Sequence, residues 1–188
     1  MANVEHSTLT DPYIHEPKGA STATAGQVYI ADGAGSGVWV QNHNYVNGYI
    51  AFDATTPAYN HSVTTSFTVL NPTFLISEAL GWSGSASPNA RLIYTATADT
   101  TAAINFTFSF KNNSGTSRDI ELIFYKNGSA LNGGHIIVTA VTGDWKSATI
   151  TDYGSFSTSD YLEIFVKGSE AFTLNVASGS LTTMGVPT

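Results

Sequence analysis

Carboxylates, serines and histidines are the residues of this chain that could do chemistry, and their spacing favours no particular reaction. Glycoside hydrolysis needs two facing carboxylic acids, and Glu121 and Glu163 both lie on predicted strands. Alternation with apolar neighbours places both on solvent or interface faces. Serine hydrolases of the α/β type carry their nucleophile in a G-x-S-x-G turn, which the sequence lacks. We therefore expect a protein that is not an enzyme.

The five histidines show no metal-binding spacing, because none of them forms an H-x-H or H-x-x-x-H pair. The chain has no cysteine, which excludes disulfides, thiolate zinc sites and cysteine nucleophiles. One alternative stays open: a metal held at a three-fold axis by one histidine from each subunit, with His43 or His61 as candidates. Apart from that alternative, we expect no metal and no cofactor.

Charge limits the partners of this 188-residue chain. Only 11% of the residues are charged and the formal net charge is −7 at pH 7. The seven Lys and Arg residues are scattered, so there is no basic stripe to bind a nucleic acid backbone. The longest apolar runs are too short to span a bilayer, and no secretory signal pattern opens the chain. We expect neither nucleic acid binding nor membrane insertion.

Residues 1–44 are predicted to form an N-terminal arm that ends in a hairpin. Residues 1 to about 26 are polar, contain two prolines and show no periodicity, which indicates extended chain. Short strands at Gln27 to Ile30 and Val38 to Val40 flank a glycine-rich turn, Asp32 to Gly37, which predicts a hairpin. The turn lacks the carboxylates of a calcium loop and the Gly-Lys-Ser/Thr of a phosphate loop.

The arm contains a candidate docking motif, His15-Glu16-Pro17-Lys18-Gly19. Proline reduces the entropy that the segment loses on binding, and the ionisable groups can pair across a contact. We predict that this motif, with Tyr29 and Trp39 of the hairpin, binds a partner. The alternative is a solvated tail.

Residues 45–188 are predicted to form an all-β domain of nine or ten strands, which favours a sandwich or jelly roll. The aromatic run from Ile104 to Phe110 alternates with polar residues, the pattern of a half-buried strand. The run from Asp119 to Tyr125 has a second face that is also partly apolar, so another subunit could cover it. The predicted strands are Gly48 to Asp53, Ser62 to Leu70, Arg91 to Ala98, Ala103 to Lys111, Asp119 to Lys126, His135 to Val141, Lys146 to Thr151, Tyr161 to Lys167 and Ala171 to Ala177.

Two tryptophans stand beside small residues and are candidate glycan-binding residues. Trp82 lies in a predicted exposed loop from Gly81 to Pro88, and Trp145 follows the Gly143-Asp144 turn. An exposed indole could stack on a sugar ring. The alternative is that each tryptophan packs on the sandwich or between subunits.

The order of several motifs resembles that of the C1q and tumour necrosis factor superfamily, in the versions found on bacteriophage virions. The motifs are FTFSF, IELIFYKNG, GHIIVTA, SDYLEIFVKG and FTLNVASGSLTTMGV. The N-terminal segment HEPKGAST…GQVYIADGAGSGVW also resembles a segment near the start of phage particle proteins.

The resemblance implies a jelly-roll β-sandwich preceded by the arm, and a homotrimer built around a three-fold axis with aromatic residues at the contact. It also implies a virion structural protein on the outer surface of the capsid or tail, as a decoration protein or head fibre. The arm would then bind the major capsid protein or a neighbouring virion protein. The alternative is a tail-associated adhesin that recognises host surface glycans through Trp82 or Trp145. A hydrolytic tail spike is a weaker alternative.

Overall fold

The computed structural model describes residues 27–31, 37–41, 45–53, 59–73, 75–76, 79–86 and 88–187. The chain divides into two compact units, residues 1–43 and residues 44–188. The predicted extended segment 1–26, most of the glycine-rich turn and His43 lie outside the described residues.

The first unit contains an antiparallel hairpin of β1 (Gln27–Ala31) and β2 (Gly37–Gln41). This confirms the predicted hairpin. Strand pairing sets Tyr29 opposite Trp39 and Val28 opposite Val40. Because side chains alternate along a strand, the aromatic pair and the valine pair point to opposite faces of the hairpin.

The second unit is all β in its described residues, and its twelve strands form two antiparallel sheets. The strands are β3 (Val46–Asp53), β4 (Tyr59–Val63), β5 (Thr68–Val69), β6 (Leu75–Ile76), β7 (Trp82–Ser85), β8 (Arg91–Tyr94), β9 (Thr100–Asn112), β10 (Arg118–Lys126), β11 (Ser129–Ala140), β12 (Lys146–Phe156), β13 (Tyr161–Gly168) and β14 (Phe172–Pro187).

The two sheets of the jelly-roll unit are called the front sheet and the back sheet. The front sheet has the order β12-β9-β14-β3-β6, with β4 also paired to β14, and the back sheet has the order β11-β10-β13-β8-β7, with β5 also paired to β13. The chain passes from the front sheet at β9 to the back sheet at β10 and β11. It then returns to the front at β12, crosses to the back at β13 and ends in front at β14. This exchange between sheets is a jelly roll, and it confirms the predicted fold class.

The core lies between the sheets and consists of the inward face of each strand. Ile104, Phe106, Phe108 and Phe110 of β9 are each at most 2% exposed, as the alternation predicts. The phenylalanine rings stack in sequence along the strand, with centroids 5.2 Å and 4.5 Å apart. Burial of this aromatic row fixes which face of β9 points inward, and therefore which residues the front sheet presents outward.

The strand predicted from Ser62 to Leu70 is wrong as a single element. The segment contains the end of β4, which pairs with β14 in front, and all of β5, which pairs with β13 behind. Between them Thr64 closes a local turn, because its Oγ1 accepts the Ser66 N–H (3.2 Å) and donates to the Ser66 carbonyl (2.8 Å). Thr64, Thr65 and Ser66 are polar, but Val63, Phe67 and Val69 keep the odd-numbered positions on either side of them, so periodicity does not reveal the change of sheet.

Several strands are longer than predicted. β14 continues beyond the predicted end at Ala177 to Pro187, through a bulge between Val176 and Ser178. β11 begins at Ser129 and not at the predicted His135, so Asn132, Gly133 and Gly134 lie inside a strand. The small residues of these segments are typical of loops, but pairing with neighbouring strands makes them regular. β7 was not predicted, because its sequence, WSGS, is also typical of a loop.

Candidate interaction surfaces

The outward face of the front sheet carries few charged side chains, and both Asp53 of β3 and Lys111 of β9 lie towards one end of it. Strand register sets its outward side chains in four rows that cross β12, β9, β14 and β3. In that order the rows are Tyr153, Ala103, Met184 and Asn47; Thr151, Asn105, Thr182 and Tyr49; Thr149, Thr107, Ser180 and Ala51; and Ser147, Ser109, Ser178 and Asp53. Among them only Asp53, in the last row, carries a charge at neutral pH.

This front face is apolar at one end and rich in hydroxyl groups towards the other. Tyr153, Met184 and Val186 are 74%, 66% and 64% exposed. Towards the opposite end, the hydroxyls of Thr107 and Thr149 hydrogen bond at 2.8 Å. The same region holds a shallow depression of about 360 Å³ lined by serine and threonine residues, Tyr49, Ala51 and Asp53. Large exposed apolar side chains beside a surface with few charges are typical of a contact with another protein.

The outward face of the back sheet is charged, unlike the front face. Glu121 accepts from His135 at 2.5 Å and from Lys167 at 2.8 Å. Burial raises the pKa of Glu121, but the hydrogen bonds and charges of Lys167 and His135 outweigh burial and hold that pKa below its usual value. Glu121 is therefore an ionised partner of the two basic side chains beside it.

Aromatic residues of the same chain cover part of the apolar second face of β10. The Tyr125 ring stacks on Phe165 with centroids 3.9 Å apart, and Phe67 lies 6.1 Å from Tyr125. The Lys167 ammonium lies 4.5 Å from the centroid of the Phe67 ring. The predicted cover by another subunit is therefore supplied here, in part, from within the chain.

Glu163 is buried rather than on an open face. Strand alternation sets it on the outward side of β13, yet only 3% of it is exposed. The Arg91 guanidinium lies 3.3 Å from its carboxylate, and the Asn89 amide donates to it at 3.1 Å. Arg91 in turn lies 4.3 Å from the centroid of the Tyr161 ring. Both carboxylates of the candidate pair, Glu121 and Glu163, are thus held in ion pairs.

His61 is buried at 6% exposure within a directed chain of hydrogen bonds. The Thr68 hydroxyl donates to the Val166 carbonyl at 3.3 Å, so it accepts from His61 Nε2 at 3.0 Å. His61 Nδ1 therefore accepts from the Tyr59 hydroxyl at 3.3 Å. Burial lowers the pKa of His61.

Both ring nitrogens of His61 are thus used inside the sandwich, which argues against the open alternative of His61 as a ligand at a three-fold axis. Among the residues that the structure describes, no group of three or more His, Asp or Glu side chains is placed to hold a metal ion. In the same residues no helix is long and apolar enough to cross a membrane.

Trp82 is buried, and its predicted position in an exposed loop is wrong. It is 3% exposed and begins β7. Its ring makes edge contacts with Tyr94 and Phe156, at centroid distances of 5.0 Å and 4.8 Å. The indole therefore packs on the sandwich, which is the alternative interpretation of this residue.

Trp145 remains at the surface, 45% exposed. The Lys111 ammonium lies 4.9 Å from the centroid of its ring. A sugar that stacked on this face of the indole would have to displace the lysine.

The hairpin places Tyr29 and Trp39 against each other, with ring centroids 5.4 Å apart in an edge arrangement. The other predicted attachment residues, His15, Glu16, Pro17, Lys18 and Gly19, lie outside the described residues. The front-face residues were not among the predicted sites. The signal that could have found them is the polar half of the alternation in β9, where Asn105, Thr107 and Ser109 are uncharged.

Comparison with known proteins supports the fold. No family model matches the sequence, and no curated protein matches it. Among solved structures the chain is similar to PRD1 vertex protein P5, with 15% identity and a TM-score of 0.50 over 76% of this chain and 97% of that one. It is also similar to the Eiger TNF of S. frugiperda, with 7% identity and a TM-score of 0.42 over 76% of this chain and 94% of that one.

A third similar structure is a CBM35 domain from Cellvibrio japonicus Abf62, with 15% identity and a TM-score of 0.30 over 71% of this chain and 91% of that one. At these identities the first match shows a shared fold.

Proposed function

We propose that this protein is a phage virion structural protein, a capsid decoration protein or head fibre that displays a homotrimeric jelly roll. The observation that carries the proposal is a front face with few charges on a jelly roll similar to PRD1 vertex protein P5. In this role the protein lies on the outer surface of the virion and is structural, without catalysis.

The contrast between the two outward faces supports self-association through the front sheet. Symmetric copies bring identical residues close together near their axis, and like charges there repel each other. Most of the front face avoids this repulsion, because its four rows are uncharged side chains except for Asp53 at one end. The back face carries Glu121, Lys167 and His135, and such charged residues are depleted at interface cores. We therefore assign the front face to the trimer contact and the back face to solvent.

Attachment to the particle is assigned to the arm, residues 1–44, and above all to the motif from His15 to Gly19. The predicted partner is the major capsid protein or a neighbouring virion protein. In a trimer three arms act together, so weak individual contacts give a long-lived complex through effective concentration.

The first experiment is cryo-electron microscopy of bare capsids, from the phage that encodes this chain, mixed with the purified protein. We expect regular density at capsid symmetry axes. A variant without residues 1–26 is the matched control, because it retains all the described strands. We expect it to give no capsid density while its circular dichroism spectrum and oligomeric mass are unchanged. Binding of this variant at full strength would overturn the assignment of attachment to the arm.

A second control tests the docking motif without changing composition. The double variant Glu16→Lys, Lys18→Glu keeps the net charge and reverses the order of charges on either side of Pro17. We expect weaker capsid occupancy if these groups pair across the contact. Full-length protein that gives no capsid density contradicts capsid decoration. The glycan-binding alternative would then rest on Trp145, because Trp82 is buried.

A further inference from the structure

The hairpin of β1 and β2 carries an aliphatic strip, defined as Val28, Ile30, Val38 and Val40. Val28 pairs with Val40 and Ile30 with Val38, so the four side chains lie side by side on one face. Val28, Ile30 and Val38 are 38%, 52% and 62% exposed. All four side chains are β-branched hydrocarbons without a polar atom.

The opposite face of the hairpin differs from the aliphatic strip. Its centre is the Tyr29–Trp39 pair, whose rings contact each other. One face is thus aromatic at its centre, and the other is aliphatic along the strip. The sequence places partner binding on Tyr29 and Trp39, but the geometry offers the larger exposed apolar surface on the other side.

A two-stranded hairpin is marginally stable in water. Exposure of valine and isoleucine side chains to water makes its folded state still less favourable. A second surface that covers the strip removes this apolar area from water and orders the hairpin. A partner that covered the strip would therefore also stabilise the hairpin.

We propose that the aliphatic strip packs against the same strip of the other copies of the chain, so that the hairpins form a second element of self-association. This inference rests on the proposed homotrimer. Neither strand, QVYIA or GVWVQ, contains a charged residue, although the chain has a net charge of −7. Identical copies meet here without charge repulsion, and a purely aliphatic surface is complementary to itself because it needs no polar counterpart.

The short connection between the two units also favours other copies of the chain as the partner of the aliphatic strip. Four residues, 42–45, join the end of β2 to the start of β3. β3 belongs to the front sheet, which is the proposed trimer contact. Association of the jelly rolls therefore holds the hairpins at high effective concentration. A partner outside the trimer would have to compete with two tethered copies.

Disulfide trapping tests the proposal, because the native chain has no cysteine. Val38→Cys places one thiol on the strip with little change of volume, and Gln27→Cys is the matched control on the opposite face. Disulfides form only when Cα atoms approach to about 4.4–6.8 Å. After mild oxidation of the full-length protein, we expect at least fivefold more chain-to-chain dimer on a non-reducing gel for Val38→Cys than for Gln27→Cys.

Mass measurement by light scattering separates this inference from the proposed function. A trimer whose Val38→Cys thiols do not cross-link overturns the inference and leaves the proposed function intact. A monomer overturns the inference and the proposed trimer together. A Val38→Cys thiol that reacts freely with maleimide until capsids are added identifies the capsid as the partner of the strip, which also overturns the inference.

Discussion

His61 shows how one buried polar residue joins the two sheets at the residue scale. It lies on β4 of the front sheet, and its Nε2 donates to Thr68 on β5 of the back sheet. The imidazole is neutral in this arrangement, because one nitrogen donates and the other accepts. Burial lowers its pKa, and no neighbouring charge contributes to that shift. A proton added to His61 would therefore create a buried charge and reverse the direction of the bond from Tyr59.

The free energy of unfolding of the protein should decrease as pH falls, because of His61. In the unfolded chain this histidine takes up its proton near pH 6.5, but in the fold it does so only at lower pH. The unfolded state therefore binds more protons in this window, and the free energy of unfolding decreases as pH falls from 6.5 through the lowered pKa. Urea unfolding at several pH values measures this effect.

The control for this titration is His61→Gln, which keeps a side-chain donor and cannot take up a proton. We expect the wild-type protein to exceed the variant in stability most at pH 7.5 and to lose that advantage towards pH 5. A difference in stability that stays constant over this range would show that His61 does not titrate as described.

Trp82 marks the limit of sequence reasoning about single residues. Gly81, Ser83 and Gly84 surround it with residues typical of a loop, so the sequence predicts a loop and leaves open whether the indole is exposed or packed. The contacts that bury it come from Tyr94 and Phe156, which are remote in sequence. In contrast, alternation within β9 identified its buried residues, because there the information is local.

At the scale of elements, β14 is the strand that joins most of the front sheet. It pairs with β9 along one edge and with β3 and β4 along the other. Gly179 lies at the centre of these pairings, opposite Phe52 and Phe108. An added Cβ there would lie 2.6 Å from Cε1 of Phe52 and 3.2 Å from Cβ of Phe108. The absent side chain is what admits the Phe52 ring to the core.

We expect Gly179→Ala to lower the free energy of unfolding by about 1–3 kcal/mol, the usual cost of overpacking a core. Gly115→Ala is the matched control, because nothing lies within 4 Å of an added Cβ at that position, and we expect a change below about 0.5 kcal/mol. Thermal and denaturant unfolding of both variants check this. Equal stability of the two variants would mean that the core yields to the methyl group.

Strands were predicted where apolar alternation is strong. They were missed where only pairing with neighbouring strands makes the segment regular. β9, β10 and β13 have apolar alternation and were found close to their observed bounds. The second half of β14, Ser178 to Val186, has the composition of a loop, and only strands on both sides make it regular. The division into β4 and β5 was missed because a turn changes the sheet without changing the periodicity.

At the scale of the whole molecule, the two outward faces of the jelly roll have different chemistry. The front rows are free of charge except at one end, and the back face holds Glu121 in a network with His135 and Lys167. This asymmetry was not predicted, because it depends on which strands share a sheet. It gives the proposed trimer a definite orientation.

A charge placed in the centre of the front face should weaken the trimer. Thr182→Asp puts one carboxylate per subunit into the row of Asn105 and Tyr49, and an unpaired charge buried in a contact is costly. We expect the concentration at which the trimer dissociates to rise at least tenfold, measured by analytical ultracentrifugation.

The matched control is Ile137→Asp, which adds the same charge to the back face at a residue that is 64% exposed. We expect it to leave the oligomer unchanged. Dissociation caused by Ile137→Asp and not by Thr182→Asp would assign the contact to the back sheet instead.

The register of β3 against β14 also has a mechanical consequence. β3 is the first strand of the jelly roll after the arm, and all eight of its residues pair with β14 between Gly185 and Ser178. Tension applied to the arm in line with β3 therefore loads its interstrand hydrogen bonds in shear, so that they bear the force together instead of opening one after another. β14 passes that force on to β9. A jelly roll bound to a particle would therefore resist mechanical unfolding more strongly than the two-stranded hairpin would.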